Sequence, residues 1–245
     1  MDEASKIHDR ITVRDAVTVR SRAHFSIQHV LSAAYFARQA LEVERNYFGV
    51  YDAAMINAHR ASVTGAILMS VSFLEAAINE FFADTVDNPY GTVKDLDPDL
   101  RSLLAEMWAM KVPRTSKYSI LEKYDIALTL MRRAPFDKGT SPYQEVSILV
   151  QLRNVMVHYE PEWITGYSTN PGAKVTEHKF QKSLQGRFPL NPLTSANNPF
   201  FPDQCFSHGC AAWAVESTVS FADAFFARMG LAAPYDHVRD QLGVN

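Results

Sequence analysis

The chain is poor in cysteine and glycine and carries no large excess of either charge. Its two cysteines, Cys205 and Cys210, are too few for a disulfide framework, and no CxxC pair suggests a zinc site. Cys205, His208 and Cys210 lie close together, but no fourth ligand is near them, so neither a metal nor a cofactor is expected. Ten glycines in 245 residues leave long unbroken segments. The formal net charge of −3 argues against a surface coated in basic charge for duplex binding, while leaving room for a local basic groove. No run approaches the roughly 18 consecutive apolar residues of a bilayer span. The chain is charged from Asp2 onward and has no signal-peptide core at its start. The expectation is a protein of the reducing cytoplasm with no membrane partner.

What is present is helical. Hydrophobic residues make up 47% and charged residues 21%, the balance of an ordinary globular core and surface. Long segments repeat their apolar residues every three or four positions rather than alternating. The reading is an all-α bundle of about four to six helices, with an N-terminal arm over 1–24 and a single helical domain over 25–245. Within the arm, Ile11 to Val19 reads as a short strand or a loosely docked segment. Helices are predicted from about Ser26 to Tyr47, Tyr51 to Thr85, Asp99 to Met110, Ser119 to Arg133 and Ser141 to His158. In the second of them Val63, Ile67, Val71, Leu74, Ile78 and Phe81 form one stripe. Ser119 and Glu122 match a capping box, and Ser141, Pro142 and Gln144 are read as a similar start. Residues 164–202 lose all periodicity and read as a long irregular loop. Asp203 is then expected to cap a last helix, with Phe206, Cys210, Trp213, Ser217, Phe221 and Phe225 inside and Gly230 as its stop.

Two stretches are basic. Residues 111–138 hold seven Lys/Arg against three Asp/Glu, and the loop carries Lys174, His178, Lys179, Lys182 and Arg187 against Glu177 alone. Such a loop either clamps an RNA backbone or is simply well solvated. Its aromatics, Tyr167, Phe180, Phe188, Phe200 and Phe201, either stack bases or pin the loop to the body. Glu75 and Asn79 share a helical face, as lining of a cleft or as a solvated edge.

The sharpest signal is Leu152-Arg153-Asn154-Val155-Met156-Val157-His158-Tyr159. An arginine, an amide and a histidine on an apolar helix cost free energy unless satisfied, so the cluster is a structural network or a site. Asn154 and His158 are four apart and share a face. Arg153 and His158 are five apart and diverge by about 140° on an ideal helix. They converge through the reach of arginine, at the helix end, or across a seam between two copies. The trio suits attack on a phosphodiester. Histidine moves a proton to or from a ribose 2′-hydroxyl. Arginine presents a planar fork to phosphate oxygens, and asparagine holds the imidazole or a phosphate oxygen.

Arg153-Asn154, three further residues, then His158-Tyr159, on the penultimate long helix of an all-α chain, resembles the signature of the HEPN superfamily. In that signature an arginine precedes a histidine by four to six residues, often with asparagine beside the arginine. The segment from Ser72 to Asn79 is similar to the first core helix of that fold. The resemblance implies a helical bundle, commonly a homodimer, whose active members set two motifs face to face and cut RNA without a metal. Arg153 would then grip the scissile phosphate, His158 transfer the proton and Asn154 orient it. Tyr159, Glu75, Asn79, Lys179 and Lys182 are the candidates for holding substrate. The implied setting is toxin–antitoxin, stress or phage defence, with an antitoxin or other protein partner. Inactive members serve as binding or sensor modules for a nucleotide, an RNA or a protein, and that is the alternative. One subgroup of toxins carries a tyrosine two residues after the histidine. Glu160 stands there in this chain, which puts regulation through that tyrosine in doubt.

Overall fold

A computed structural model describes residues 22–50, 52–88, 91–114, 118–161, 178 and 180–245. Among the described residues the chain is all-α, with no strand. The helices are α1 (Phe25–Arg45), α2 (Ala53–Asp87), α3 (Pro98–Ala109), α4 (Ile120–Leu130), α5 (Tyr143–Val157), the single turn α6 (Gln181–Leu184) and α7 (His208–Met229). A π-helical turn, Phe200–Gln204, precedes α7, and a 3-10 helix, Asp236–Leu242, follows it. The segment Ile11 to Val19 lies outside the described residues, as do Lys174, Lys179 and Tyr167.

The spine is α2. Its 35 residues make it roughly 52 Å long, and α1, α3, α4, α5 and α7 all pack on it. The expected stripe from Val63 to Phe81 is buried throughout, and Ala66, Phe73, Ala77 and Phe82 are buried with it. A helix covered from several sides needs more than one apolar stripe. By length and composition α2 is also apolar enough to cross a membrane, although its apolar residues do not run unbroken over that length. Thr64, Gly65, Ser70 and Ser72 interrupt the run without adding charge. Half of its most apolar window is buried inside the bundle.

Two kinds of packing flank this spine. Toward α1 and α7 the contact is made of small residues: Ala33, Ala34 and Ala37 meet Ala66 and then Ala211, Ala212 and Val215. Short side chains let helix backbones approach, and Gly65 shows how closely. A Cβ there would lie 2.8 Å from the Phe36 ring. Toward α4 and α5 the packing is aromatic. Tyr124 stands edge-on to Phe221 and Phe225 at 4.9 and 4.7 Å between centroids, and Phe136 stacks on Phe221 at 4.5 Å. The buried Tyr124 hydroxyl donates to the Leu74 carbonyl at 2.9 Å, so its polar tip is satisfied. On α5, Tyr143, Val146, Leu149 and Leu152 enter this core at three-residue intervals and leave the opposite face of that helix outside.

The ends follow local rules, with two corrections. Ser119 and Glu122 form the expected capping box, and Gly230 ends α7 in the left-handed region at φ 75°. For α5, Pro142 is itself the N-cap and no side chain caps it, so Ser141 and Gln144 make no box. For α7 the cap is Ser207, not Asp203. Asp203 lies inside the π-helical turn, its carboxylate on Arg60 and Asn198. Ser207 Oγ accepts from the Cys210 N–H at 3.1 Å and donates to the Pro189 carbonyl at 2.6 Å. Tertiary contact with Pro189 thus chooses between two acceptable cap residues. Ser207→Ala removes both bonds and is expected to cost about 1–2 kcal/mol in chemical denaturation.

Candidate active site

The register of α5 decides what the motif presents. Leu149 and Leu152 fix its inner face, and Arg153, about 100° further round, reaches across to α2. Its Nη2 donates to Glu75 Oε2 at 3.3 Å. The arginine side chain is 20% exposed and the glutamate 44%, so the pair sits at a rim that solvent reaches. Lys123 of α4 completes the cluster. Its Nζ donates to Asn79 Oδ1 at 3.1 Å and lies 3.9 Å from Glu75 Oε1. One carboxylate and one amide, a helical turn apart on α2, therefore tie α4 and α5 to the spine.

Sequence reasoning pairs Glu75 with Asn79 but misses Lys123. The signal for it lies three residues after Ile120 and four before Ala127, on the apolar face of α4. A lysine on such a face is buried only when its ammonium finds partners.

Asn154 and His158 stand apart from this cluster. Both are exposed. His158 is the C-cap of α5, with φ −112° and ψ 44°, and its backbone N–H bonds the Asn154 carbonyl at 2.9 Å. Among the described residues neither of their side chains has a hydrogen-bond partner, and nothing joins His158 to Arg153. Within one chain the motif is thus divided, with Arg153 in a network and Asn154 and His158 outside it. The fully buried positions of this helix end at Leu152, so only Arg153 is drawn inward. Tyr159 follows at 47% exposure. Lys182 is exposed on α6 and makes no ion pair among the described residues, while Lys179 lies outside them.

Much of the local basic charge is already used. Arg114 lies over the Trp108 ring at 4.1 Å and Lys138 pairs with Asp125 at 3.4 Å. Arg187 pairs with Glu145 on α5 at 3.6 Å and so ties the irregular segment to the motif helix. Two aromatics of that segment act as pins. Phe180 and Phe201 are buried, and both stack on His178. Cys205 and Cys210 are buried thiols. Desolvation pushes Cys205 up to about 12 and Cys210 well above its usual range, and His208 spends Nε2 on the Val244 carbonyl.

Comparison with protein-family models, with curated proteins and with solved structures finds no match to this chain. The chemistry available at the end of α5 is therefore read from its own geometry. A guanidinium is positioned by a carboxylate that is itself half in solvent. An imidazole and an amide lie free one helical turn apart. These groups suit the handling of an anion and of a proton, and one chain alone does not converge them.

Proposed function

We propose that the chain is a HEPN-like, metal-independent endoribonuclease whose working site is completed by a second copy. The observation that carries this reading is the division of the motif: Arg153 is positioned by Glu75 at a solvent-reached rim, while Asn154 and His158 are exposed beyond it. A scissile phosphate competes with the Glu75 carboxylate for the arginine fork. His158 moves the proton of the 2′-hydroxyl or of the leaving oxygen, and Asn154 orients the phosphate or the ring. A twofold contact lets the arginine of one copy face the histidine of the other. An antitoxin or other protein covering the end of α5 would silence such a site.

The test is cleavage of RNA by the purified chain in excess chelator, together with a sizing measurement. Cleavage by a dimer, lost in both single variants of the motif, supports the proposal. A second reading has its own support in the Glu75–Lys123–Asn79–Arg153 network, which joins three helices. In it the chain is a non-catalytic module that binds a nucleotide, an RNA or a protein, and Arg153 is structural. That reading expects no cleavage at any RNA concentration and a lower melting temperature for Arg153→Ala.

A further inference from the structure

A second polar cluster lies at the other end of α2. Near the end of α1, Glu44 turns inward. Its Oε1 accepts from His59 Nε2 at 2.8 Å and from the backbone N–H of His208, at the start of α7, at 2.5 Å. His59 is 1% exposed. The residue nevertheless lines a cavity of about 330 Å³ between the first turns of α2 and the segment 191–198. With Nε2 committed to Glu44, Nδ1 is the polar atom left on the ring, and no other group among the described residues bonds it. A buried imidazole, fixed by a carboxylate and left with one nitrogen beside a cavity, is an unusual expense for a core. His59 is 16 residues from Glu75 on the same helix, roughly 24 Å at the α-helical rise. The two clusters are separate sites.

The opposite wall is built rather than draped. The Asn191 side chain donates to the Asp203 carbonyl at 3.1 Å and accepts from the Leu193 N–H at 2.9 Å. The Asn198 side-chain Oδ1 accepts from both the N–H and the hydroxyl of Ser195, at 3.1 and 2.8 Å. Asp203 then pairs with Arg60 of α2 at 3.2 Å, which fastens this wall to the helix. The cavity keeps its shape because its two sides are tied to one another.

Its lining selects the ligand. The charged groups at the cavity are balanced, Glu44 beside His59 and Arg60 beside Asp203, so the site has no unopposed charge to draw a charged guest. The groups left to bond a guest are uncharged: the Asn57 amide, the His59 ring nitrogen, and the lone pairs of the Thr194 and Ser195 hydroxyls, whose protons go to the Asn191 carbonyl and to Asn198 Oδ1. The amide gives and accepts hydrogen bonds and the two hydroxyl oxygens accept them, a set that the hydroxyls of a polyol, which do both, can match. Among the described residues no phenylalanine, tyrosine or tryptophan lines the cavity, so the described lining offers hydrogen bonds rather than a platform for stacking a heteroaromatic base. We infer that this cavity binds an uncharged, polyhydroxylated molecule of mono- to disaccharide size, held between His59, Asn57 and the 191–198 segment.

The experiment is saturation-transfer NMR and titration calorimetry on the full chain with glucose, trehalose and myo-inositol, and with adenosine as the heteroaromatic comparison. Binding of at least one polyol is expected, with Kd near ~1 mM or tighter. His59 is buried and its loss can unfold the chain, so two rim residues serve as variants. Asn57→Ala removes one exposed amide and should weaken binding about tenfold. Ala53→Phe fills the cavity from its mouth and should abolish binding. No saturable polyol binding, binding of adenosine alone, or polyol binding untouched by Ala53→Phe overturns the assignment. None of these outcomes depends on whether the chain cleaves RNA.

Discussion

His158→Ala is expected to lower RNA cleavage by about 10²–10⁴-fold, the usual loss when a positioned proton-transfer group is removed. Its melting temperature should stay at the wild-type value. His158 is exposed and its side chain bonds nothing among the described residues, and surface changes of that kind stay within about ±0.5 kcal/mol. Arg153→Ala should lose at least about 10²-fold by removing charge stabilisation at the phosphate. Its cost in stability is small, about 0.2–1 kcal/mol, because Glu75 is almost half in solvent and water screens the pair. The two readings therefore separate on one pair of proteins. A nuclease loses activity and keeps its melting temperature, whereas a purely structural Arg153 has no activity to lose and its removal lowers the melting temperature by more than a screened surface pair accounts for. Cleavage that survives in both variants would falsify the site assignment.

The same variants test where the two halves of the site come from. Within one chain Arg153 turns to Glu75 while His158 stays at the exposed helix end. If the site is shared across a twofold, a dimer of one Arg153→Ala chain and one His158→Ala chain holds one dead site and one intact site. Mixing the two inactive proteins then restores about a quarter of wild-type activity at random exchange. If each chain carries its own complete site, mixing restores nothing.

The elements were legible where local chemistry decides them. Period placed α2, and caps placed the start of α4 and the end of α7 because Ser119 and Gly230 each act on their own turn. Legibility failed where a partner distant in sequence decides. Asp203 and Ser207 are equally good caps in isolation, and contact with Pro189 selects the serine. The motif could be found from spacing, yet spacing does not say that Glu75 draws Arg153 away from His158. Lys123 was half legible, since its place on an apolar face is visible and its partner Asn79 is not. The Glu44–His59 contact was not legible at all. It joins two helices through a turn, and neither residue belongs to a recognisable spacing.

Phe221→Ala is expected to destabilise the chain by about 3–5 kcal/mol, the largest effect of any single truncation argued from this fold. Phe221 is fully buried. It touches three rings from three different segments: Tyr124 of α4 at 4.9 Å, Phe136 after α4 at 4.5 Å, and Tyr143 at the start of α5 at 6.2 Å. Removing it opens a cavity where α4, α5 and α7 meet, and the surrounding rings cannot fill it without leaving their edge-on geometry. A loss of that size is a large part of the 5–15 kcal/mol that a domain ordinarily has, so the variant should melt well below the wild type or fail to accumulate. Phe221→Leu keeps most of the volume and should cost less than about half as much. If Phe221→Ala melted like the wild type in denaturant, the aromatic contact would not be what holds α5 in register. The placement of Arg153 against Glu75 would then need another cause.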